Sequence, residues 1–254
     1  MLPDFIIIGT QRGGTTSLYN YLAAHPRIAP ARVKEVHYFS VNYDKGVDWY
    51  RSQFPRTRGL RRRITGEASP YYIFHPHSPK RVKELLPNAK IIALLREPVA
   101  RAFSHYRHEV RLGEEPLSFE EAIAREDQRI GPDVERLVTD PMYEGHAHRH
   151  YSYVARGRYV EQLIHWSRYF PVHEMLVLRS EDLFTDPARV YAATVRYLGL
   201  PRHDLGTYER YNAAGELEGL TPHLRATLSE YFRPFNEQLY SFLGRDLGWG
   251  APPS

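Results

Sequence analysis

Unbroken apolar runs alternate along the chain with stretches in which apolar residues recur every three or four positions. Phe5–Ile8 and residues 89–95 (AKIIALL) are continuous and rich in branched side chains, the pattern of strands buried on both faces. Residues 174–183 (EMLVLRSEDL) begin the same way. Helical spacing is predicted from Thr15 to about His25, with Leu18, Tyr21 and Leu22 on one face and Pro26 after its end. Further helices are predicted at about Pro79–Leu86, over 97–110, around Ser118–Asp127, over 157–170, over Pro187–Leu198 and at about Pro222–Leu243. In the 97–110 segment Pro98 falls in the first turn, where its missing N–H costs little. Gly131 to His150 is polar and irregular and reads as a mobile surface loop or lid. Residues 199–221 are turn-rich, and the tail GAPPS has a disordered composition. Strands alternating with amphipathic helices predict a three-layer α/β/α architecture around a central parallel sheet, in a single domain spanning 1–254.

Composition changes this picture little. Hydrophobic residues make up 42% and charged residues 25%, as in ordinary globular proteins. The net charge is +4, but lysine occurs only at 34, 45, 80, 83 and 90, so 29 of the 34 basic residues are arginine. Arginine's rigid fork of donors suits oxyanions, although a compositional bias of the source explains much of the count. The absence of cysteine excludes disulfides, cysteine-ligated zinc and thiol catalysis. The first apolar run is too short for a signal core or a membrane span, so a cytoplasmic protein with neither a membrane span nor a nucleic-acid partner is the expectation.

Candidate chemistry begins at FIIIGTQRGGTTS (5–17), a strand, a Gly-rich turn and a helix start. Such a helix start presents N–H groups and a positive dipole end to an anion. Gly9 to Thr16 fits the phosphate-loop pattern G-x-x-x-x-G-K-[ST] except that Thr15 occupies the lysine position. A nucleoside triphosphate would need that lysine and a metal held by an acidic residue on a second strand. The second strong strand ends instead in Arg96. A 5′-phosphosulfate carries less charge and suits the loop better. Ser104 lies eight residues after Arg96, just over two helical turns, so the two can share one side and hold a second phosphate.

Together, TQRGGTTS and Arg96 with Ser104 resemble the two cofactor motifs of sulfotransferases that use 3′-phosphoadenylyl sulfate (PAPS). KEVHYFS (34–40), YDKGVDWYRSQFP (43–55), GEASPYYIF (66–74), WSRYFP (166–171) and YFRPFNEQLYSFLGRDLGW (231–249) are similar to the heparan sulfate sulfotransferase branch and its bacterial relatives. The resemblance implies a P-loop-type fold, PAPS as donor, adenosine 3′,5′-bisphosphate (PAP) as product, no required metal, and a glycan or small-molecule acceptor. It implies that Arg12, Gly13, Gly14, Thr15, Thr16 and Ser17 hold the 5′-phosphosulfate and that Arg96 and Ser104 hold the 3′-phosphate. Arg12 stands where the family usually carries a lysine on the leaving oxygen.

Glu35 aligns with the family's general base and His37 with a polar residue two positions on. On the residues alone, Glu35 reads as a loop carboxylate paired to Lys34, and His37 as a core or substrate-orienting imidazole. Glu67 is the second candidate base. Lys34, Glu67 and Ser69 are expected on the acceptor side, with Ala68 in a position where the family usually carries lysine. The family's late basic cofactor loop has no match in 208–220. A P-loop kinase and a non-catalytic nucleotide- or glycan-binding relative are the alternatives. The basic run RTRGLRRR (56–63) reads as a solvated loop or an anionic-acceptor contact. In HAHRH (146–150) the histidines alternate as on a strand, with no carboxylate evident nearby, which speaks against zinc.

Overall fold

The computed structural model describes residues 1–55, 63–209 and 219–250. Most of the basic run 56–63, most of 208–220 and the end of the tail lie outside the described residues. In chain order the elements begin with β1 (Phe5–Gly9), α1 (Thr15–Ala23), β2 (Ile28–Pro30), α2 (Gly46–Ser52), β3 (Ile64–Ala68), α3 (Ser78–Leu85) and β4 (Lys90–Leu95). They continue with α4 (Pro98–Leu112), α5 (Phe119–Ala124), α6 (Glu126–Thr139), α7 (His146–His150) and α8 (Tyr159–Ser167). The last are β5 (Leu176–Arg179), α9 (Ser180–Thr185), α10 (Pro187–Tyr197) and α11 (Pro222–Leu243).

The chain forms two compact units, Met1–Leu95 with Trp166–Ala213, and Arg96–His165 with Ala214–Ser254. The first unit holds a five-stranded sheet in the order β2-β3-β1-β4-β5, with every pair parallel and helices flanking it. The two strongest apolar runs, β1 and β4, are central neighbours, and every residue of β1 is buried. Phe5, Ile7, Leu18, Leu22, Ile92 and Leu94 belong to this unit's core. Gly66 on β3 lies against Phe5, whose ring atoms would stand 2.4 Å from an added Cβ. That close approach explains a glycine inside a strand.

The second unit is helical and packs Val99, Phe103, Phe119, Tyr153, Leu228 and Phe232 together. Here the expectation of a loop over 131–150 fails. Residues 126–139 are α6 and 146–150 are α7. The buried face of α6 is Glu126, Ile130, Asp133 and Leu137, a helical spacing in which two of four inward positions are acidic. Those carboxylates accept backbone donors. Glu126 takes the N–H groups of Val154 and Ala155, each at 2.7 Å, and Asp133 takes the N–H of His148 at 2.9 Å and the Tyr143 hydroxyl at 2.6 Å. Polarity here marks an inward face.

Candidate active site

The turn after β1 is tied down from two directions. The N–H of Thr10 donates to Leu94 O at 2.7 Å, and Ser180 Oγ donates to Gly13 O at 2.7 Å. A Cβ on Gly13 would stand 2.8 Å from Leu94 O, so the turn packs too tightly on β4 for a side chain. Gly14 caps α1 with φ 88°, a left-handed backbone, and makes no side-chain cap bond. The start of α1 is therefore built from glycine backbone and hydroxyls, with Thr15 and Ser17 buried. That donor set and the helix dipole fit a phosphate or sulfate group.

Among the described residues, three non-glycine residues have positive φ: Arg12 at 68°, Glu35 at 62° and His37 at 55°. Left-handed backbone at such residues costs of order 1–3 kcal/mol each and concentrates at functional sites. These are the three residues expected to be catalytic from the sequence.

Glu35 Oε1 lies 2.6 Å from Lys34 Nζ, and Glu35 Oε2 lies 3.2 Å from His37 Nε2. Crowding by neighbours removes hydration from the Glu35 carboxylate and pushes its pKa up. The His37 hydrogen bond and the Lys34 charge outweigh that loss and bring it down to about 2. Its side chain remains 41% exposed. The result is an ionised carboxylate open to solvent and flanked by two cationic or donor groups.

Beneath this loop lies a buried network. The N–H of His37 donates to Ser69 Oγ, Ser69 Oγ donates to Glu67 Oε2, and the Tyr50 hydroxyl donates to Glu67 Oε1 at 2.5 Å. The Tyr72 hydroxyl reaches Glu67 at 3.3 Å and accepts the N–H of Phe39 at 3.2 Å. Glu67 is 1% exposed and Ser69 is fully buried. Desolvation lifts the Glu67 pKa to about 7, against the lowering effect of Tyr50, Ser69 and Tyr72. Glu67 and Ser69, expected on the acceptor side, thus face the interior and support the 35–39 segment.

In the second unit, Arg96 and Ser104 are both buried, at 8% and 4% exposure. The Arg96 carbonyl accepts from the Tyr159 hydroxyl at 2.8 Å. Glu97 caps α4, its carboxylate accepting the N–H groups of Val99 at 2.9 Å and Ala100 at 2.7 Å. The cap fixes the residue before the helix, and Ser104 follows two turns later on α4. Sequence reasoning missed Tyr50, Tyr72 and Ser180. The first two carried only an aromatic signal, and Ser180 reaches Gly13 across 167 positions with no local mark.

The sulfotransferase-domain family profile matches residues 2–220. A human protein named heparan sulfate glucosamine 3-O-sulfotransferase 6 is 32% identical across 98% of this chain and 74% of its own length. The membrane-associated sulfotransferase kil1 of Dictyostelium discoideum is 29% identical across 98% of this chain, which spans 66% of that relative's length. A solved sulfotransferase from Alicyclobacillus acidocaldarius is 31% identical, with a TM-score of 0.79 over 97% of this chain and 98% of that one. The chain belongs to the PAPS-dependent sulfotransferases, enzymes that move a sulfuryl group from PAPS to an acceptor and release PAP.

Proposed function

We propose that the acceptor is a carbohydrate hydroxyl, in preference to an amine, and that Glu35 is the base. The observation that most supports Glu35 as the base is the left-handed backbone shared by Arg12, Glu35 and His37 and by no other described non-glycine residue. Glu35 takes the acceptor proton as the new O–S bond forms. Arg12 places a fixed positive charge by the bridging oxygen, which keeps the electron pair of the breaking S–O bond and departs on PAP. His37 and Lys34 hold Glu35 ionised. Gly13, Gly14, Thr15, Thr16 and Ser17 bind the 5′-phosphosulfate, and Arg96 with Ser104 binds the 3′-phosphate. Glu67 and Ser69 position His37 from below.

Arginine supplies the charge in this scheme, so the transfer itself needs no divalent ion. The whole chain acts as one catalytic domain. The carbohydrate assignment draws on the name of the human relative. A cytoplasmic location belongs to the same proposal. Among the described residues no helix is long and apolar enough to cross a membrane, and cell fractionation tests the location.

Thermal unfolding with ligands tests the cofactor. PAP at concentrations well above micromolar is expected to raise the melting temperature, because a ligand that binds only the folded state stabilises it. Stabilisation by magnesium-ATP and not by PAP would overturn the assignment of the turn after β1 and of Arg96 with Ser104 to PAPS. Transfer of labelled sulfate from PAPS across a panel of glycans, phenols, lipids and peptides then identifies the acceptor.

A further inference from the structure

The second unit brings together side chains that the transfer reaction does not use. α7 is a helix, so His146 and His150 fall at i and i+4 on one face, not in alternation as on a strand. Their rings stack 4.4 Å apart at 25°. Glu114, just past the end of α4, points to the same place, with Oε2 3.6 Å from His146 Nε2. One ligand atom from each of Glu114, His146 and His150 lies within 4.8 Å of the others. The Tyr151 hydroxyl donates to Glu114 O at 3.2 Å and pins that residue's backbone beside α7.

An independent feature lies behind the cluster. His150 Nδ1 is 2.8 Å from Glu109 Oε2, and Glu109 is 1% exposed. A buried carboxylate on one ring nitrogen fixes the ring and its tautomer, and it leaves the other nitrogen with a lone pair to offer a metal. Metal-binding histidines use this arrangement. Tetrahedral sites with bonds of about 2.0–2.2 Å hold neighbouring ligand atoms about 3.3–3.6 Å apart. The Glu114–His146 separation already meets that spacing, and small rotations of these two partly exposed side chains close the rest.

We propose that Glu114, His146 and His150 form a zinc-class divalent metal site, oriented by Glu109, that ties the end of α4 to α7. Two imidazoles and one carboxylate select a borderline transition ion over calcium or magnesium, which take oxygen ligands. His146 is 62% exposed, so the fourth position faces solvent. None of these residues is among those assigned to the transfer, and the inference does not depend on the acceptor.

The test uses the untagged full chain stripped with chelator. Calorimetry with zinc is expected to show one saturable equivalent per chain, and cobalt(II) to give a visible d–d band of a low-coordinate nitrogen–oxygen site. His146→Ala and Glu114→Gln alter partly exposed residues and leave the fold intact by circular dichroism. Each is expected to weaken binding at least as much as an orienting-residue change, roughly tenfold or more, and Glu109→Gln about 10–100-fold. His173→Ala, at an exposed histidine outside the cluster, changes nothing. Absence of saturable binding makes Glu114–His146 a surface ion pair and overturns the proposal. Binding unmoved by His146→Ala and Glu114→Gln overturns it equally.

Discussion

The backbone N–H of His37 donates to Ser69 Oγ at 3.0 Å, across 32 positions of sequence and wholly inside the first unit. That hydroxyl passes its own proton toward Glu67 at 2.7 Å. Ser69→Ala leaves a buried N–H without its acceptor and a buried carboxyl without one donor. The expected cost is about 1–3 kcal/mol in denaturant unfolding. Turnover should fall further than that loss of stability explains, while the PAP-induced thermal shift stays, since His37 loses its anchor and the turn after β1 does not.

Glu35→Gln removes the proton acceptor and keeps the shape. Turnover is expected to drop about 10²–10⁴-fold with PAP binding intact. Because its neighbours hold Glu35 near a pKa of about 2, below the ordinary 4.5, it stays ionised down to strongly acidic pH. The acid limb of kcat/KM in the parent enzyme is therefore not set by Glu35. His37→Ala removes the strongest partner, and in that variant an acid limb should move up toward 4.5.

Arg12 tests whether charge or donor geometry matters on the leaving oxygen. Arg12→Ala is expected to slow transfer about 10²–10³-fold, the usual loss of one preorganised donor. Arg12→Lys keeps the charge and restores the residue more common in the family. Steady-state kinetics should place it far closer to the parent than to the alanine variant. A lysine variant as slow as alanine would assign the effect to the guanidinium fork.

Four buried groups make stability depend on pH between about 4.5 and 7, and they pull in opposite directions: Glu67 and Glu126 weaken folding as pH rises, while His105 and His148, whose pKa values burial lowers, strengthen it. Glu67 and Glu126 both have pKa values raised to about 7 by burial. In that window the unfolded chain releases these protons while the folded chain keeps them, so each group weakens folding as pH rises, by at most about 3 kcal/mol. Above pH 7 the two folded carboxyls ionise too and their contribution stops changing. In urea melts taken at pH 5, 6 and 7, the stability of the parent relative to Glu67→Gln should fall as pH rises, which isolates the Glu67 contribution from those of Glu126, His105 and His148. An unchanged slope in Glu67→Gln would show that Glu67 is already ionised at pH 5.

How far the sequence reveals this molecule follows from where polarity falls. β1 and β4 are unbroken apolar runs, and α11 starts and ends where its spacing predicted. β3 (ITGEA) escapes periodicity because a glycine packed on Phe5 and an inward glutamate occupy its middle. In a parallel sheet covered on both faces, alternation cannot say which way Glu67 turns. α6 is hidden from periodicity by Glu126 and Asp133, acidic residues on its inner face. Glu35 and His37 were legible only through resemblance. Their left-handed backbone is a property of the fold, and nothing in KEVHYFS announces it.

Ser180 Oγ holds the carbonyl of Gly13 from the residue that follows β5. In a growing polypeptide this hydroxyl appears long after the turn it secures. The turn reaches its finished bonding only once the residue after the fifth strand has left the ribosome, so the last tie on this early turn is supplied by a late part of the chain.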